Sequence, residues 1–162
     1  MKTLFVLRHA KSSWRDETLA DHDRPLNKRG QKAAPKMGRW ARVNEVWPDV
    51  VLSSTALRAQ LTAEAFISAG KYESVAIESK PALYEASADT IIDVLQARKE
   101  HAVMLVGHNP SLEDLVVSLT NTEVRFVTAA FAWIELPIEN WPELCVGVPG
   151  YLREFWIPRK LP

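Results

Sequence analysis

The stretch Leu4-Phe5-Val6-Leu7-Arg8-His9-Ala10 decides the fold. Four apolar residues in unbroken succession read as a short strand buried on both faces, and the run stops at an arginine and a histidine. Two further runs have the same form. Val50-Val51-Leu52 gives way to Ser53-Ser54, and Val103-Met104-Leu105-Val106 gives way to Gly107-His108-Asn109. Amphipathic stretches lie between them. Helical spacing predicts helices over 31–43, 56–69 and 88–98, and a fourth after Pro110. Their inward stripes are Leu57, Leu61 and Ala65, then Ile91, Ile92 and Leu95, then Leu112, Leu115, Val116 and Leu119. Pro35 interrupts the first, so that helix is expected to kink or to begin near it.

Strand and helix in alternation predict an α/β fold, a parallel sheet with helices on both faces. A short strand is expected around Val75-Ala76-Ile77. The C-terminal part differs. Phe131–Leu136 and Leu152–Ile157 read as strands with no helix between them, expected to extend the sheet as an antiparallel, hairpin-like pair.

A chain of 162 residues is expected to form one domain, 1–162, with a core that needs neither disulfides nor metals. Twenty basic residues balance twenty acidic ones, which argues against nucleic acid as the main partner. The single cysteine, Cys145, excludes a disulfide within the chain and a Cys-based zinc site, and fits a reducing compartment. No apolar run approaches the roughly 18 residues that span a bilayer. Met1 to Leu7 runs straight into a charged motif, unlike a secretory leader. The expectation is a cytoplasmic protein with no membrane partner.

Open α/β sheets bind ligands beyond the carboxyl ends of their strands. Arg8-His9, Ser53-Ser54 with Arg58, and Gly107-His108-Asn109 fall there. Arginine offers a planar fork of donors that grips two oxygens of a phosphoryl group at once. Arg8 and Arg58 are the natural clamps, and Arg24, in the loop Asp23-Arg24-Pro25-Leu26, is a third. Ser54 or Thr55 is expected to cap one helix, Asn109 another with Pro110 as its first residue, and Glu113 and Asp114 suit that helix's first turn. Backbone donors at both helix starts would then face the anion. No serine sits in a G-x-S-x-G elbow, and Cys145 is remote. Histidine remains as the nucleophile: His9, kept neutral by nearby arginines. His108 becomes the donor that stabilises charge on the transferred group.

Three motifs carry a resemblance. Leu7-Arg8-His9-Ala10 resembles the R-H-G/A signature of the histidine phosphatase (phosphoglycerate mutase-like) superfamily. Ser53-Ser54-Thr55-Ala56-Leu57-Arg58-Ala59-Gln60-Leu61-Thr62 resembles its second motif, and Val106-Gly107-His108-Asn109-Pro110 its third. Chain length, with Asp23-Arg24-Pro25-Leu26 and Leu83-Tyr84-Glu85-Ala86, looks most like the SixA-type phosphohistidine phosphatase branch. The resemblance covers residues 2–136. It implies a three-layer α/β/α fold with a mixed, mostly parallel six-stranded sheet, a phosphohistidine intermediate on His9, and a phosphate pocket of Arg8, Arg24, Arg58 and His108. It implies no cofactor and no metal. Ala10 departs from the glycine of many relatives, which matters only if that position needs positive φ.

Larger relatives place a carboxylate by the leaving group, and Glu85 is the candidate general acid, against a plain surface role. Asp21-His22-Asp23 reads as a solvated loop rather than a metal site. Lys11, Ser12 and Trp14 follow the nucleophile and are candidates to border the pocket, while most of the six tryptophans are expected to pack in the core or on the sheet. The leading expectation is a monomeric, metal-independent phosphatase acting on phosphohistidine in a partner protein, because so short a chain leaves little room for a lid. A phosphatase of a small phosphorylated metabolite and a non-catalytic phosphate-binding module are the alternatives.

Overall fold

The computed structural model describes residues 1–162. Its strands are β1 (Lys2–Arg8), β2 (Val50–Ser54), β3 (Ala76–Lys80), β4 (Ala102–Gly107), β5 (Phe131–Leu136) and β6 (Tyr151–Trp156). Its α-helices are α1 (Lys28–Val43), α2 (Leu57–Gly70), α3 (Ala88–Gln96) and α4 (Ser111–Thr120). One sheet holds all six strands in the order β3-β2-β4-β1-β5-β6. The first four run parallel; β5 is antiparallel to β1, and β6 to β5. The expected mixed α/β architecture is therefore present, with the C-terminal pair extending the sheet as an antiparallel hairpin.

The pleat explains the unbroken apolar runs. Successive side chains leave a strand on opposite faces, so a strand covered on both sides must be apolar throughout. Leu4, Val6, Val103 and Leu105 face one core with Ile91 and Leu95 of α3 and Leu112 and Leu115 of α4. Phe5, Leu7, Val51 and Met104 face the other, with Met37 and Ala41 of α1 and Ala63 and Phe66 of α2. On that second face Phe131 stacks between Phe66 (centroids 6.0 Å) and Trp156 (5.1 Å), which ties the C-terminal strand pair to α2. Trp40, Trp133, Trp141 and Trp156 pack as expected, whereas Trp14 and Trp47 are exposed.

Pro35 neither starts nor ends α1. The helix begins at Lys28, where Asn27 Oδ1 accepts from Gly30 N at 2.9 Å, and runs on through the proline. An Asn cap outranks the proline as a start signal here, because it satisfies a helix-end donor directly. Gly38 lies against Phe66 of α2, where an added Cβ would come within 2.3 Å of a carbonyl oxygen, so the two helices can pack this closely only over glycine. Gly30 makes the same kind of approach to Lys11 O, clamping the start of α1 onto the segment after His9.

Strand register then levels the motifs. Arg8 pairs with Gly107 across β1 and β4, and Ser53 with Val106 across β2 and β4. His9 and His108 therefore leave neighbouring strands at one height, and Ser54 ends β2 one residue below them, level with Arg8 and Gly107. No helix of the protein is long and apolar enough to cross a membrane.

Candidate active site

His9 and His108 emerge side by side, their ring centroids 5.1 Å apart and their planes tilted by 49°. His9 is buried, and its Nδ1 lies 2.8 Å from Ala10 O. A carbonyl can only accept, so Nδ1 carries the proton and Nε2 keeps a free lone pair. Burial first, then the charges of His108, Arg58 and Arg8, push the His9 pKa down to about 3 against the opposing pull of the Ala10 carbonyl. Burial and Arg58 likewise push His108 down to about 4, although Asp21 pulls the other way. Both rings are neutral at pH 7.

His108 Nε2 lies 2.7 Å from Ser54 Oγ, which also accepts from Ala56 N at 3.2 Å. With two lone pairs, Ser54 Oγ accepts from Ala56 N and can either donate to His108 Nε2 or accept from it. His108 Nδ1 is buried and has no partner in the protein, and neither has Arg8 Nε. Unpaired polar nitrogens beside two histidines are groups that a bound oxyanion could satisfy.

The arginines reach the site from three elements. Arg8, at the end of β1, donates to Phe126 O at 2.9 Å, and burial lowers its pKa while Glu113 partly restores it. Arg58, in the first turn of α2, is buried and donates to Asp21 O at 2.8 Å and Asp21 Oδ2 at 3.1 Å. Arg24 is buried too. It donates to Ser12 Oγ at 3.0 Å and Asp21 Oδ1 at 2.9 Å, and its guanidinium lies 3.5 Å from the centre of the Trp14 ring. Ser12 and Trp14 thus support Arg24, while Lys11 is exposed beside them.

Asp21 is the residue that sequence reasoning missed. Its loop is exposed to solvent as expected, but its half-exposed carboxylate bridges Arg24 and Arg58 and also accepts from Tyr84 OH at 2.6 Å. The Tyr84 hydrogen bond, followed by those of Arg24 and Arg58, holds its pKa far below the usual carboxylate range. Two guanidinium groups and a phenol suit an anion, not a metal ion. The available signal was spacing: Asp21 stands three residues before Arg24, and a 3-10 turn over Asp21–Asp23 puts both on one side. From the segment after β3, Tyr84 is the side chain that joins this cluster. Glu85 is exposed, with φ +54° and no hydrogen bond.

Two expected caps are different in the structure. α2 has Ala56 at its cap position without a side-chain bond, because Ser54 is engaged with His108 and Thr55 Oγ1 with His22 Nε2 at 2.8 Å. α4 starts at Ser111, with Pro110 at the cap position, and its first donors go to His108 O: Leu112 N at 3.1 Å and Ser111 Oγ at 2.9 Å. Asn109 instead donates to Glu113 Oε1 and Phe126 O, so Glu113, besides sitting in the first turn, locks the loop that receives Arg8. Ala10 has no positive φ and donates its N–H to Thr62 Oγ1 at 2.9 Å, so alanine is accommodated without strain. Thr62 donates in turn to Arg58 O, which fastens α2 to the His9 loop.

Among known proteins, the model of the histidine phosphatase superfamily (branch 1) matches residues 4–91, more than half of the chain. An uncharacterized protein of Mycobacterium tuberculosis is 37% identical over 168 residues, covering 94% of this chain and all of that protein. The crystal structure of the putative phosphohistidine phosphatase SixA from Agrobacterium tumefaciens superposes with a TM-score of 0.84 at 28% identity, over 97% of this chain and 98% of that one. The putative SixA of Nakamurella superposes with 0.83 at 26% identity, over 97% and 96%. The chain belongs to the histidine phosphatase superfamily, in its SixA-type branch, and is a phosphatase.

Proposed function

We propose that the protein removes a phosphoryl group from a histidine of a partner protein, by way of a phosphohistidine on its own His9. The observation that supports this most is the pairing of two neutral imidazoles, one with Nε2 free, beside a cluster of guanidinium groups. In the first step His9 Nε2 attacks phosphorus while the P–N bond to the substrate imidazole breaks. Arg8, Arg24 and Arg58 neutralise the equatorial oxygens, and His108 donates to one of them. In the second step water attacks phosphorus, inorganic phosphate leaves, and His9 returns to the neutral ring.

An imidazole that carries a proton on its other nitrogen leaves as a neutral group, so the first step asks less of a general acid than departure of an alkoxide. The exposed, unbonded position of Glu85 fits a reaction with that small demand. Phosphoryl transfer relies mainly on position and charge, which this site supplies. A protein-borne substrate is supported by the likeness to SixA-type structures.

The test compares turnover of a protein phosphorylated on histidine with turnover of small phosphate esters. Faster hydrolysis of the protein, with an acid-labile label on the enzyme that His9→Ala abolishes, is expected. Small esters turned over faster by orders of magnitude would reject the protein substrate. A label that survives His9→Ala would reject the mechanism.

A further inference from the structure

The chain is neutral as a whole, yet its two helical layers are not. α1 (KRGQKAAPKMGRWARV) carries six basic residues and no acid. α3 (ADTIIDVLQ) and α4 (SLEDLVVSLT), on the opposite face of the sheet, carry acids and no lysine or arginine. The basic arrangement works against the helix that bears it. Lys28 and Arg29 stand in the first turn of α1, where the helix dipole favours anions. Lys28 and Lys32, then Lys32 and Lys36, repeat like charges at i, i+4, where an opposite charge would stabilise. Such placement is unfavourable for an isolated helix and calls for a counter-charge from outside.

The basic face runs up to the phosphate site. Gly30 lies against Lys11 O, and Asn27 N donates to the same oxygen at 2.9 Å, so α1 starts directly beside the segment that leaves His9. Lys11 and Arg29 line two adjoining hollows. One, of about 640 Å³, reaches Trp14, whose ring backs Arg24. The other, of about 210 Å³, reaches Arg159. Arg159 is held there because Lys36 Nζ donates to Pro158 O and Leu161 O. Lys11, Arg15, Lys28, Arg29, Lys32 and Arg159 are exposed, and none of them forms an ion pair within the chain.

We infer that this face, from Lys11 along α1 to Arg159, is the docking surface for an acidic segment of the phosphoprotein substrate, seated while its phosphohistidine enters the arginine cluster. The inference rests on the protein-substrate reading above. Six exposed basic residues without an ion pair, beginning at Lys11 two residues after His9, favour an acidic partner that also presents the phosphoryl group. Complementary charge of this kind raises the encounter rate and fixes orientation, and salt weakens it.

Two histidine peptides phosphorylated with phosphoramidate, one flanked by glutamates and one by glutamines, provide the test. At low salt the wild-type enzyme should prefer the acidic peptide in kcat/KM by about tenfold or more, mostly through KM, and lose the preference at high salt. The triple variant Lys28→Glu, Arg29→Glu, Lys32→Glu should lose the preference while hydrolysing the glutamine peptide and phosphoramidate itself at the wild-type rate. Equal rates on both peptides in the wild type, or a preference kept by the variant, would overturn the docking surface and leave the substrate class standing. Failure on both peptides with brisk hydrolysis of small esters would remove the protein-substrate reading and the docking surface together. If vesicles containing phosphatidylglycerol bind the wild type and not the variant while the peptides are treated alike, the face belongs to a membrane and the inference is wrong.

Discussion

His9 and His108 leave the sheet at the ends of β1 and β4, His9 oriented through Ala10 O beside it and His108 through Ser54 at the end of the neighbouring β2. Arg24, Asp21 and Tyr84 stand on loops and are held by one another, with a single carboxylate at the centre. The floor of the site is thus specified by register and the rim by side-chain contacts. A floor built this way cannot shift without unpairing strands. A rim built on one half-exposed carboxylate can exchange that carboxylate for a substrate oxyanion, because both present oxygens to the same guanidinium groups. The free protein holds Arg24 and Arg58 together with an internal anion, the Asp21 carboxylate.

Substitutions that strike the floor should have the largest effects. His9→Ala removes the proposed nucleophile and should lower turnover of a phosphohistidine protein to below about one part in ten thousand. Single-turnover assays with purified variant check this. His108→Ala should cost on the order of a hundred- to a thousandfold in kcat, as loss of one oxyanion donor does elsewhere.

The floor also predicts how stability depends on pH. The pKa values of His9 and His108 lie near 3 and 4 in the folded protein, below the ordinary value of 6.5. The unfolded chain therefore binds more protons below pH 6.5. The stability that comes from keeping the rings neutral is present above pH 6.5 and is lost as pH falls through 6.5 toward 4. Each ring contributes a slope approaching about 1.4 kcal/mol per pH unit in that window. Urea midpoints at pH 7 and pH 5 check this, and replacing one ring by glutamine should remove its share. A pH-independent midpoint would mean that the rings are solvated rather than buried.

The rim should respond more gently. Asp21→Asn keeps the shape and removes the charge that competes with phosphate, so inorganic phosphate should inhibit more tightly by roughly five- to tenfold. The effect is held to that size by the exposure of Asp21. Weaker inhibition would show that Asp21 only orders the arginines and does not compete. Smallest of all is Glu85→Gln: an exposed, unbonded carboxylate should change turnover by less than about twofold. A loss of a hundredfold would make it the general acid after all.

The same contrast explains what could be read from the chain alone. Residues 4–10, 53–62 and 106–110 announce themselves because a buried strand must be apolar and must end where the polar residues begin. Asp21 carries no such signal, since its partners Arg58 and Tyr84 lie 37 and 63 residues further along the chain and meet it only through folding. Helix starts failed for a related reason. Ser54, Thr55 and Asn109 have the chemistry of caps, but His108, His22 and Glu113 compete for them, and those contacts are tertiary. The alternation of basic and acidic layers was hidden in a net charge of zero.

Rapid mixing with a phosphohistidine protein, an alkaline quench and mapping of the phosphoryl group on the enzyme would probe the core of this account most directly. A label on His9, at Nε2 and formed as fast as substrate is consumed, is the expected result. A label on any other residue, or steady turnover with none formed on the enzyme, would contradict it.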